Sequence, residues 1–210
     1  MRLSSQSLRD GEPISERHAF GVPDADAHMA FGPNRSPQIA WAELPEGTQS
    51  LALICHDPDA PCQADDVNRE DREVPADLPR VDFYHWLLVD IDPQLDELPE
   101  GAFADAVTPG GKREAAGPFG TRQGVNDYTD FLAGSEELSG EYWGYDGPCP
   151  PWNDAIPHRY VFTLYALDTP RAPVEGAFRG GDLLAAIRGH ILDQAAITTT
   201  YSLNPRVSPQ

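Results

Sequence analysis

The sequence predicts a mainly β fold with a peripheral helix, because stretches of strand character come first and the one good helical stripe comes late. Composition agrees. Glycine (18) and proline (21) are frequent among the 210 residues, which favours short elements joined by turns. A hydrophobic fraction of 40% with 9% aromatics belongs to a globular chain, and the length suits one domain over residues 1–210.

Gln38-Ile39-Ala40-Trp41 is a short strand entered through the turn-rich residues 32–37. A turn at Pro45-Glu46-Gly47-Thr48 leads into residues 50–56, an almost unbroken apolar run that reads as a strand covered on both faces. Asp57-Pro58-Asp59-Ala60-Pro61 reads as the turn that ends it. Residues 62–80 are rich in Asp, Glu and Arg without a hydrophobic period, and form an acidic surface loop. Residues 83–91 alternate as a strand, placing Phe83, His85, Leu87, Val89 and Ile91 on one face. Residues 99–157 lack periodicity and read as an irregular excursion over the sheet. Residues 159–167 are the clearest central strand. Asp182 is positioned to cap a helix reaching about Ile197, with Leu184, Ile187, Ile191, Leu192 and Ala195 as its stripe. Residues 198–202 then form a last strand.

The formal charge of −19, with Lys112 the only lysine, argues against nucleic acid and anionic membrane as partners. Residues 1–13 are polar, and no stretch approaches a membrane span, so a cytoplasmic protein is expected. Cys55, Cys62 and Cys149 are odd in number and lack zinc-type spacing, which fits reduced thiols.

Four segments carry candidate chemistry. Asp57 leaves an apolar strand directly, and a carboxylate there can fix an imidazole tautomer; it can equally be a strand terminator. His85 on an apolar face is a hydrogen-bonded core residue or, with Asp57 beside it, an imidazolium that offers an N–H to an anion. His158 and Tyr160 are two apart on a strand and share a face, so they offer two donors to one oxyanion, unless Tyr160 only packs. Gly147-Pro148-Cys149-Pro150-Pro151 is stiff, and Gly147 permits close approach of a backbone N–H to a ligand. Two other classes use the same residues. Cys149 with His158 or His85 has the parts of a cysteine-dependent hydrolase. His56, His85, His158 and Asp57 have metal-ligand chemistry, but His56 adjoins Asp57 and faces the other side of its strand.

Taken together, Asp57-Pro58-Asp59-Ala60-Pro61, His85-Trp86, the loop 147–151 and His158-Arg159-Tyr160-Val161-Phe162 resemble the phosphatidylethanolamine-binding protein family. The resemblance is to its bacterial and archaeal Raf-kinase-inhibitor-like branch. Ser36-Pro37-Gln38-Ile39-Ala40-Trp41 and His190-Ile191-Leu192 extend it over residues 3–204. It implies an antiparallel Greek-key β-sandwich with a C-terminal helix, and a non-enzymatic binding or regulatory protein without a cofactor. It also implies a pocket for phosphate-type or carboxylate anions at Asp57, His85, Gly147, Cys149, Pro150, His158 and Tyr160. The ligand would be a phosphorylated or carboxylate small molecule or a phospho-side chain. Family precedent adds a kinase or protease as protein partner and a homodimer as assembly. Two departures stand out: Cys149 replaces a glycine of the eukaryotic loop, and residues 62–80 are longer and more acidic than in the animal proteins. With two imidazoles free to charge, anion binding is expected to strengthen below about pH 6.5.

Overall fold

The computed structural model describes residues 1–207; residues 208–210, the end of the expected 1–210 domain, lie outside the described residues. The fold is mainly β. Its strands are β1 (Arg2–Ser4), β2 (Gly21–Asp24), β3 (His28–Phe31), β4 (Ile39–Ala42), β5 (Ser50–Pro61), β6 (Arg80–Ile91), β7 (Glu97–Leu98), β8 (Arg122–Gln123), β9 (His158–Leu167) and β10 (Ile191–Tyr201). The helices are α1 (Tyr128–Phe131) and α2 (Gly180–Ile187). A five-stranded antiparallel sheet runs in the order β10-β9-β5-β6-β8. A three-stranded sheet runs β1-β4-β7, and β2 and β3 form a separate hairpin.

The apolar run of β5 is explained by cover on both faces. Leu51, Leu53 and Cys55 join Trp86, Leu88, Tyr160, Phe162 and Leu164 in a core that also takes Ile39 and Trp41 of β4 and Leu98 of β7. Ala52 and Ile54 point the other way, with Leu87 and Val89 of β6, against Leu183 and Ile187 of α2. Each large side chain removed from water in these layers contributes roughly 1.5–3 kcal/mol.

The expected helix to Ile197 is corrected. It ends at Ile187, and β10 follows and pairs with β9 from Ile191↔Leu167 to Tyr201↔His158. The residues at 187, 191 and 195 are four apart. That interval fits one face of a helix and, being even, one face of a strand equally well. Pairing with β9 satisfies the backbone and decides between them. Asp182 is not the cap either: Arg179 stands at the N-cap, and the Asp182 carboxylate accepts the Arg179 backbone N–H at 3.0 Å.

The proline-rich residues 57–61 do not end β5 as expected; they continue it through a bulge. Asp57 pairs with Phe83 and Ala60 with Val81, so Pro58 and Asp59 together oppose Asp82. Pro58 has no N–H to leave unpaired, and a bulge is where a strand tolerates it.

Of the expected loop 62–80, residues 62–79 are a largely exposed loop and Arg80 already belongs to β6, but the loop is tied down from beneath. Asn153, buried, donates through Nδ2 to the carbonyls of Asp66, Arg69 and Arg72 and accepts the Asn68 N–H at 2.9 Å. Val74 within the loop is fully buried. No helix among the described residues is long and apolar enough to cross a membrane.

Candidate functional site

Strand β5 lies between β6 and β9, so the ends of three strands converge on one cavity of about 320 Å³. Asp57, His85, His158 and Tyr160 all line it, as do Cys149 and Pro150. Its walls are mainly apolar, with Phe20, Phe83, Tyr128 and Phe131 among them, and the segment 61–64 adds a side that the sequence did not announce. Phe31 and Phe131 also line it and remain about half exposed.

A second bulge aims His85. Cys55 pairs with Trp86 and His56 with Tyr84, which leaves His85 without an opposite residue. The extra residue breaks the alternation, so the expectation that His85 shares a face with Leu87 and Val89 is corrected. Those two lie under α2, while His85 and Phe83 turn into the cavity. Bulges re-aim side chains beside sites in this way.

The carboxylate partner also differs from expectation. Asp57 holds His158, not His85. His158 Nδ1 donates to Asp57 Oδ2 at 2.7 Å, and its Nε2 donates to Asp154 Oδ2 at 3.0 Å. Burial alone would lower the His158 pKa, but Asp57 and Asp154 outweigh it and hold it at about 9. Both N–H groups of this imidazolium are spent, so the expected donation from His158 to a ligand is corrected. Asp154 is further clamped by Arg80 at 2.6 Å, and Asp57 Oδ1 accepts the Asp59 N–H at 2.7 Å. Asp59 in turn is gripped through both oxygens by Arg159, which points away from the cavity as read from the strand alternation.

His85 is a neutral ring. Its Nδ1 lies 2.8 Å from the carbonyl of Asp146, an acceptor, so Nδ1 carries the hydrogen and Nε2 keeps a lone pair. Burial pushes its pKa down to about 4 against the pull of Asp57. Neither imidazole therefore changes charge near pH 6.5, and the expected strengthening of anion binding by imidazole charging is corrected. Tyr160, whose ring centroid is 5.1 Å from that of His85, has a buried hydroxyl without a hydrogen-bond partner among the described residues. A buried unmatched hydroxyl is costly unless something else satisfies it.

The loop 147–151 contributes shape more than donors. The Gly147 N–H is taken by Asn34 Oδ1 at 2.8 Å, so it does not reach a ligand as expected. Glycine is needed there because a Cβ would collide with the carbonyl oxygen of His18. Cys149 makes no hydrogen bond to either histidine among the described residues, and burial pushes its thiol up to about 12. His56 stays outside the cavity, near Asp82, so the four possible metal ligands do not converge.

Several supporting residues escaped the sequence reading. Asp154 sits in the irregular excursion, and its only signal was its place four residues before His158. Asp146 is fully buried, with Lys112 Nζ at 2.9 Å and the amides of Asn34 and Asn126 each at 2.9 Å. The isolation of Lys112 as the sole lysine was the available hint.

The family model for phosphatidylethanolamine-binding protein matches residues 4–202 of this chain. The chain belongs to the phosphatidylethanolamine-binding protein family. Among its relatives, UPF0098 protein YbhB of Escherichia coli is 31% identical over 202 residues, covering 96% of this chain and all of the relative. A UPF0098 protein of the archaeon Methanothermobacter thermautotrophicus is 35% identical, covering 96% and 98%. The crystal structure of Escherichia coli YbcL, described as a new member of the mammalian PEBP family, aligns with a TM-score of 0.68 at 28% identity. That alignment covers 96% of this chain and 97% of the other. Family membership makes this chain a binding protein of that type, and Asp57, His85, Cys149, Pro150, His158 and Tyr160, from the motifs that first suggested it, line the cavity.

Proposed function

We propose that this protein is a non-enzymatic binding protein whose cavity takes a small acid head group, phosphate-type or carboxylate, from a ligand with an apolar body. The observation that carries this reading is the buried Tyr160 hydroxyl, which has no hydrogen-bond partner among the described residues and lies at the cavity beside the His85 ring. The apolar walls leave room for a hydrocarbon portion, and the polar atoms fix only the head. The cysteine-hydrolase alternative gains nothing here, since a thiol held neutral by burial and unpaired with a histidine is a poor nucleophile. A phosphorylated side chain presents the same head group, and on that basis the proposal extends to a protein partner of kinase or protease type.

The test is calorimetric titration of ethyl phosphate into the wild-type protein and Tyr160→Phe at about pH 6. Loss of one hydrogen bond to a charged oxygen should weaken binding by at least about tenfold, with folding unchanged. Equal affinity in both proteins, or no binding to wild type at millimolar ligand, contradicts the reading.

A further inference from the structure

We propose that a second groove, walled by the stacked rings of His28 and Trp152, docks an extended basic segment of a partner protein, with arginine in one half of the groove and proline in the other. The inference goes beyond the head-group reading and does not rest on it, because no residue lines both the groove and the cavity.

The groove has two halves, of about 560 and 430 Å³, which share His28, Trp152, Asn204 and Pro205. Four stretches distant in the sequence build it: the β2–β3 hairpin, the loop 62–79, the residues just after the loop 147–151, and the chain beyond β10. The wall common to both halves is fixed. The His28 imidazole stacks on the Trp152 indole, with ring centroids 4.0 Å apart and planes inclined by 14°. His28 Nε2 donates to Glu70 Oε1 at 2.7 Å, and the Trp152 backbone N–H donates to Asn68 Oδ1 at 3.0 Å, so the acidic loop holds both residues.

The halves differ in chemistry. The first presents Glu70, Asp71 and Glu73 against Arg72 and Arg206. Arg206 is taken by Glu73 at 2.8 Å and Arg72 by Asp66 at 3.2 Å, while Asp71 stands 3.7 Å from Arg72, beyond hydrogen-bond reach. With Asp24 of the second half, four exposed carboxylates meet two arginines along the groove. A guanidinium entering there gains a two-pronged carboxylate contact, and the chain's charge of −19 steers a basic partner towards it. The second half is apolar beside Trp152, with Pro23, Ala25, Leu203 and Pro205. The Asn204 amide between the halves is already committed: Nδ2 donates to the Asp154 carbonyl at 2.7 Å, and Oδ1 accepts the Arg206 N–H at 3.0 Å. This floor asks little hydrogen bonding of a ligand. That suits proline, which has no N–H to satisfy and whose ring packs on an aromatic wall.

Fluorescence anisotropy of labelled peptides, titrated with the full chain at low salt, tests the proposal. A peptide of repeating Pro-Pro-Arg should bind. Its affinity should fall at least about tenfold when glutamate replaces arginine, and at least about threefold when glycine replaces proline. Trp152→Leu should weaken the Pro-Pro-Arg peptide at least about tenfold. Trp152 also packs in part against the core, so Asp71→Asn with Glu73→Gln, both exposed, supplies a second variant. It should lose at least about fivefold in affinity while keeping the wild-type Tm. Undiminished binding in either folded variant would assign the affinity to overall charge and overturn the groove. Equal binding of the arginine and glutamate peptides, equal binding of the proline and glycine peptides, or no binding of Pro-Pro-Arg at millimolar concentration would overturn the proposal as well.

Discussion

Replacing His158 by leucine is expected to cost about 3–5 kcal/mol of folding stability and roughly 10 °C in Tm, the largest effect of any single change at the site. The substitution leaves Asp57 Oδ2 without its 2.7 Å partner and Asp154 with Arg80 alone, so a carboxylate stays buried without a cation. The same interaction predicts the pH dependence of stability. The folded pKa of about 9 exceeds the ordinary value of 6.5 in the unfolded chain. A raised pKa means that the native state holds an extra proton between those values. The stabilisation is therefore complete below pH 6.5 and is lost as pH rises through about 9, amounting to about 3 kcal/mol. Urea denaturation of wild type and His158→Leu across this range tests both points. The difference between the two proteins should shrink with rising pH, and a constant difference would contradict the charged state of His158.

Lys112→Met should be comparably damaging, at about 3–5 kcal/mol, although the residue lies outside the cavity. Its ammonium donates to Asp146 Oδ1 at 2.9 Å and to the Tyr145 carbonyl at 2.8 Å. Burial pushes the Asp146 carboxyl up even with Lys112 present, so without that cation the charge is untenable. The consequence reaches His85, because the backbone carbonyl of Asp146 fixes the ring's tautomer. Adding Asp146→Asn to Lys112→Met removes the stranded charge and keeps the size, so the double variant should regain at least about half of the loss. Chemical denaturation of the three proteins decides the matter: a Lys112→Met protein within about 0.5 kcal/mol of wild type would show that the pair does not stabilise the fold.

What the sequence disclosed depended on whether a residue's neighbours obey a simple period. In β9, regular alternation placed Tyr160 and Phe162 in the core face and turned Arg159 outward, as read. In β6 the bulge at His85 removed that regularity, and hydrophobic alternation carries no mark of an extra residue. At the C-terminal end the four-residue spacing of Ile187, Ile191 and Ala195 satisfied both periods, and only the partner strand could choose. The site shows the same division. Six of the seven expected residues line one cavity, because stiff or polar breaks in apolar strands are visible in the sequence. Which imidazole Asp57 would meet was not visible, since β5 has a neighbour on each side and sheet order is a property of the whole chain. Asp154 and Asn153, from a stretch without periodicity, act through hydrogen bonds that no local pattern encodes.

Two histidines that line one cavity hold opposite protonation states. Long-range proton–nitrogen NMR correlations of the imidazoles at about pH 7.5 test it directly. His158 should show both nitrogens protonated, and His85 only Nδ1, with the His85 Nε2 resonance alone moving strongly when ethyl phosphate is added. A doubly protonated His85 in the free protein, or an Nε2 resonance indifferent to the ligand, would contradict it.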